Sequence, residues 1–208
     1  MCERKIKPVL NNYDKQRTYA IQIKRYKNAY SKGYFLEALF ISYSMIEDRL
    51  LSCLYHSGFI ANRNQIKVYK KTKNHLLEMI NLDSKEKEKT RISFKYISDK
   101  VNSFRGIIKW ATCKENNSNE CPFLKTLKKQ YLRLNSYEVL KILDELDEWC
   151  ESRNEMVHAL LNKNVDDLYS KIEEVAQNGM KIARLLDNQV KIIKKNEIIR
   201  KSLNLQTK

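Results

Sequence analysis

With 208 residues, four glycines, two prolines and a formal charge of +15, the chain can bury one full core and is too short for two comfortable ones. So few helix breakers argue against a turn-rich β architecture and make an all-α single domain over residues 1–208 the expectation. The five cysteines, at 2, 53, 113, 121 and 150, lack both zinc-ligand spacing and a disulfide framework. Even the most apolar stretch, residues 34–55, is interrupted by Glu37, Glu47, Asp48 and Arg49, so neither a membrane span nor a signal peptide is expected, and a reducing, cytoplasmic setting is.

Residues 13–31 place Tyr19, Ile23, Tyr26 and Tyr30 at three- and four-residue steps, which predicts an amphipathic helix, basic on its outer face, that Gly33 can end. Residues 34–57 carry a wide stripe including Leu36, Leu39, Tyr43, Ile46, Leu50 and Leu54, expected as the central core helix, with Gly58 as its terminator. Basic, aperiodic residues 59–73 suggest a loop. Helices are expected over 75–82 and 84–111, the second holding a Phe94, Ile97, Val101, Phe104, Ile108 row. Polar, Asn-rich residues 114–121 suggest a flexible insertion. Further helices are expected over 124–134 and 136–151, then a long final helix from Asn164 or Asp166 to about residue 195, with residues 198–208 fraying. There is no internal repeat, glycine-rich phosphate loop, nucleophile elbow or pair of metal-binding histidines, so neither a cofactor nor a metal is expected.

The chemistry concentrates in residues 153–158, Arg-Asn-Glu-Met-Val-His. Ser152 can cap a helix and Glu155 can reach back to complete a capping box, which predicts a short helix starting here, its free N–H groups suited to a phosphate. Asn154 and His158, four apart, share one strip; Arg153 lies about 140° from His158 and must bend to converge with it. A guanidinium binds phosphate oxygens through two parallel hydrogen bonds, and an imidazole can take and return a proton near neutrality. The positive charge favours polyanions, most densely at residues 24–32, 67–73 and 191–201, although A/T-rich codons would also enrich Lys, Asn, Ile and Tyr.

Leu146-x-x-Trp149 followed by Ser152-Arg153-Asn154-x-x-x-His158-Ala159-Leu160 resembles the HEPN ("higher eukaryotes and prokaryotes nucleotide-binding") domains, whose Arg-x4-6-His motif often has Asn, Asp or His directly after the Arg. The specific match covers about residues 146–161. The resemblance implies a HEPN-like helical bundle that dimerises across the motif, and in many members a metal-independent endoribonuclease acting as a toxin or in phage defence. It implies catalytic roles for Arg153, Asn154 and His158, with Glu47 or Asp48 as possible supporting residues on the central helix. Implied partners are RNA, a second copy of the chain and an antitoxin such as a minimal nucleotidyltransferase. In one branch the antitoxin modifies a tyrosine two residues after the motif histidine; Leu160 holds that place here and has no hydroxyl to modify. The alternative is a noncatalytic module that binds a nucleotide, RNA or a partner. In that case Arg153 pairs with Glu151 or Glu155 and His158 is an ordinary helix histidine.

Overall fold

Tyrosines and isoleucine at helical steps build α1 (Asn12–Ser31), which buries Tyr26 and Ala29 and sets Tyr19, Ile23 and Tyr30 at the core boundary. The computed structural model describes residues 12–62, 65–82, 89–113, 121–160, 162 and 164–205. The chain leaves α1 through Gly33, where the Tyr34 N–H donates to the Ala29 carbonyl at 2.8 Å. The apolar stripe that follows forms α2 (Phe35–His56), which fully buries Leu39, Ile46, Leu50, Cys53 and Leu54. Gly58 ends it at φ +78°, and a Cβ there would come within 2.5 Å of the Leu203 side chain.

Residues 59–73 are not the expected loop. They hold an antiparallel pair, β1 (Ile60–Asn62) and β2 (Gln65–Val68), with Ile60 opposite Val68, and then a 3-10 turn, Lys70–Thr72. Strands of three and four residues are too short to show an alternation among so many lysines. Buried Phe59 and Ile60 tie the pair to the core, and the Thr72 hydroxyl donates to the Gly58 carbonyl at 3.0 Å.

α3 (Lys73–Asn81) and α4 (Ile97–Thr112) follow, and α4 starts much later than residue 84. The Ser93 hydroxyl accepts from the Lys95 N–H at 3.0 Å, a local bond that competes with helix, and Asp99 then accepts from the Tyr96 N–H to set the helix start. Phe94 is buried as expected, but from non-helical backbone. Residues 83–88, and residues 114–120 of the expected insertion, lie outside the described residues. Pro122 opens α5 (Pro122–Tyr131) at the first helical position, where its missing N–H costs nothing.

Asn135 begins α6 (Ser136–Ala159), and α7 (Val165–Lys194) is the expected long helix near the end of the chain. α7 packs along α2 as the central pair; α6 lies on α7, α4 on α2 and α6, and α3 on α4. Gly179 permits the close approach, since a Cβ there would stand 2.7 Å from both the Ser42 hydroxyl and the Trp149 ring. The result is an all-α helical bundle whose buried side chains form one core cluster.

The expected fraying from residue 198 does not occur across the described part of that segment. Asn196 and Glu197 adopt left-handed backbone and turn the chain into α8 (Ile198–Ser202), which packs on α5. Arg200 is fully buried, with its guanidinium 3.7 Å from the Tyr55 ring centroid, and it donates to the carbonyls of Tyr55 (3.0 Å), Ile60 (2.9 Å) and Ala61 (3.0 Å). One cation thereby serves the C-terminal end of α2 and the first strand together. Among the described residues no helix is long and apolar enough to cross a membrane.

Candidate functional site

The motif does not open a helix. α6 runs through it without a break from Ser136 to Ala159, so Ser152 is a mid-helix residue whose hydroxyl donates back to the Glu148 carbonyl at 3.0 Å. The physical reason is the apolar spacing: Leu146, Trp149, Met156 and Ala159 are all buried, so continuing the helix keeps the stripe in the core. The motif lies near the carbonyl end of α6, and its backbone N–H groups are spent within the helix. An anion here must be held by side chains.

Arg153 supplies such a side chain. Its guanidinium carbon lies 4.3 Å from the centroid of the Tyr43 ring on α2. Its Nε is buried without a hydrogen-bond partner, and among the described residues no carboxylate pairs with it, Glu151 and Glu155 included. Tyr43 in turn stacks on Trp149, with centroids 6.5 Å apart and planes 24° apart. Trp149 is held by its indole N–H, which donates to the Val175 carbonyl of α7 at 2.7 Å. The platform is therefore built by three helices, α2, α6 and α7. Burial pushes the neighbouring Cys150 thiol up to about 11 despite the opposing charge of Arg153, so it stays protonated near neutral pH.

Asn154 and His158 stand exposed on the outer strip of α6. Their side chains have no polar partner among the described residues, and the Asn162 side chain donates to the His158 backbone carbonyl at 3.5 Å. The structure thus brings Asn154 and His158 onto one open face and turns Arg153 towards α2.

Both supporting candidates are engaged by lysines. Glu47 accepts from the fully buried Lys100 ammonium at 2.6 Å. It lies one turn after Tyr43 on α2. Asp48 faces α1, where it pairs with Lys15 at 2.8 Å and accepts from the Tyr19 hydroxyl at 2.8 Å, while Arg49 binds both Asp48 and Asp187. Burial pushes the Asp48 carboxyl up, but Lys15 and Arg49 outweigh it and hold the group below its usual range. On the other side of the motif, Glu145, Glu148, Glu155 and Glu174 outnumber Lys171 and Lys181 in a groove between α6 and α7, a net acidic surface that does not favour phosphate.

Compared with known proteins, the chain matches no family model, no curated protein and no solved structure. The resemblance to HEPN domains therefore rests on residues 146–161 alone.

Sequence reasoning did not pick out Tyr43 as a site residue. It sits within the apolar stripe of α2, and nothing in its spacing separates a residue that carries a cation from one that fills the core.

Proposed function

We propose that the chain is a HEPN-type endoribonuclease whose reaction centre is completed by a second copy, and that it serves as a toxin or in phage defence. The observation that carries the proposal is the guanidinium of Arg153, held over an aromatic ring with no carboxylate among the described residues to neutralise it, on the same helix as the open side chains of Asn154 and His158.

The ribose 2′-oxygen attacks the adjacent phosphorus, its proton passing to one imidazole, and the bond from phosphorus to the 5′-oxygen breaks as a second imidazole protonates that oxygen. The products are a 2′,3′-cyclic phosphate and a 5′-hydroxyl. Arg153 donates to the phosphorane oxygens as charge builds on them, and Asn154 orients the phosphate or the ring. One copy has one motif imidazole, so two motifs facing across a twofold axis supply the acid and the base. Restraint is by occlusion, an acidic antitoxin covering the motif, because Leu160 offers no hydroxyl for modification.

His158→Ala should abolish cleavage of a labelled RNA in excess chelator while RNA binding persists, and a 2′-deoxy residue at the cleavage site should block the parent. Specific activity should also fall when the chain is diluted. Cleavage that survives in His158→Ala, or equal cutting of the deoxy substrate, rejects the mechanism. A noncatalytic RNA-binding module is the second reading, favoured by the glutamates beside the motif and its place at a carbonyl helix end; it predicts binding and no cleavage by the parent.

A further inference from the structure

Some surface cations are neutralised, Arg25 by Glu37, Arg105 by Asp144 and Asp147, and Lys191 by Asp187, while others, Lys24, Lys27, Lys32 and Lys125 among them, have no ion-pair partner among the described residues. One region gathers such cations around a groove. β2, the start of α3 and residues 92–95 line a groove whose floor is the Glu47 to Lys100 pair. Lys67 and Lys73 line one wall and Lys95 the other, and Lys70, Lys71 and Arg91, their neighbours in sequence, are exposed as well. Among the described residues none of these six has an ion-pair partner.

The walls are fixed. Phe94 is buried beneath the second wall, and Asn81 both donates to the Lys89 carbonyl at 3.1 Å and accepts from the Lys89 N–H at 3.0 Å, pinning that segment to α3. At the end of this wall Tyr96 is 61% exposed, with the Lys95 ammonium 5.2 Å from its ring centroid. The floor residue Glu47 follows Tyr43, whose ring carries Arg153, by one turn of α2.

We propose that this groove is the track for a single-stranded RNA, its lysines and Arg91 meeting the phosphates and Tyr96 stacking on an unpaired base. Duplex RNA keeps its bases stacked inside and leaves Tyr96 without a partner, and a flat anionic membrane does not fill a groove. The choice of RNA rests on the function proposed above; the surface itself does not depend on the chemistry of Arg153 and His158.

The test is binding of the full chain to a fluorescein-labelled 20-nucleotide RNA with 2′-O-methyl riboses, which cannot be cut, followed by anisotropy across a salt series. Replacing Lys67, Lys71, Lys73 and Lys95 together with Gln should weaken binding at least tenfold at 0.1 M salt. It should also lower the slope of log affinity against log salt by about 0.7 for each phosphate contact removed. Tyr96→Ala should weaken binding about fivefold or more with the slope unchanged. Neutralising Lys24, Lys27, Lys32 and Lys125 instead should leave affinity within twofold. Unchanged affinity and slope in the groove variant, equal losses in the control variant, or binding to phosphatidylserine vesicles in place of RNA each overturn the proposal. A parent that binds through the groove but never cuts ordinary RNA refutes only the nuclease reading.

Discussion

A guanidinium that rests on an aromatic face keeps its charge available for a further anion, whereas one locked to a carboxylate does not. Arg153 is of the first kind. Arg153→Ala should therefore lower RNA cleavage by about 10²–10³-fold, in line with loss of one transition-state donor, while the thermal midpoint moves little. Tyr43→Phe should stay close to the parent, because the ring and not the hydroxyl carries the cation; Tyr43→Ala should lose both activity and stability. Paired assays of cleavage and unfolding check this, and full activity in Tyr43→Ala removes the platform's role. Glu47 poses a different question. Lys100 is 1% exposed, so Glu47→Ala should cost about 3 kcal/mol by stranding a buried ammonium. Adding Lys100→Met should restore most of that stability. If the double variant regains stability and cleaves normally, Glu47 is a structural partner; stability without cleavage gives it a role in the chemistry. The identities of Arg153, Asn154 and His158 were legible as candidates because reactive residue types stand out in sequence. The Tyr43 platform was not, because it joins residues over a hundred positions apart.

Helix α6 shows how a local signal loses to a longer one. Ser152 and Glu155 have the spacing of a capping box, yet the buried row through Trp149, Met156 and Ala159 draws the helix through them. A true cap loses about 1 kcal/mol on substitution by Ala. Ser152 bonds back within the helix, so Ser152→Ala should leave stability unchanged or raise it by up to ~0.5 kcal/mol, as measured by urea unfolding. A loss near 1 kcal/mol would restore the cap. The long amphipathic elements α2 and α7 were legible because their apolar rows extend over many turns. The pair β1 and β2 and the late start of α4 were not, since each is decided by one or two bonds, such as Lys95 to Ser93, that no periodicity records.

For the molecule as a whole, acid should be the sensitive direction. Burial pushes the Glu197 carboxyl up, but the His56 imidazole 3.4 Å away, with Lys194 and Arg200, outweighs it and holds the group below its ordinary value of 4.5. Asp48 and Asp187 are likewise held below 3.8, the first by Lys15 and Arg49 and the second by Lys191 and Arg49, in each case against burial. Each carboxyl binds a proton more readily in the unfolded chain, so its contribution is complete above the unfolded value and is lost as pH falls through the folded one. Unfolding free energy from these groups should thus be level between about pH 7 and 5 and decline below about 4.5. Glu197→Gln should flatten part of that decline in denaturant titrations across pH. An unaltered acid limb in this variant would mean that Glu197 makes no such contribution.

The position of Arg200 also bears on the order in which the molecule is made. The carbonyls of Tyr55, Ile60 and Ala61 receive their donor from a residue about 140 positions later, and the apolar face of α2 waits for α7. A nascent chain that has reached Leu160 carries the complete motif, but α7 is not there to anchor Trp149 through the Val175 carbonyl. Closure must wait until residues 165–203 have left the ribosome, a late and long-range event of the kind that slows folding. A product of interrupted translation therefore contains Arg153 and His158 without the architecture that aims them.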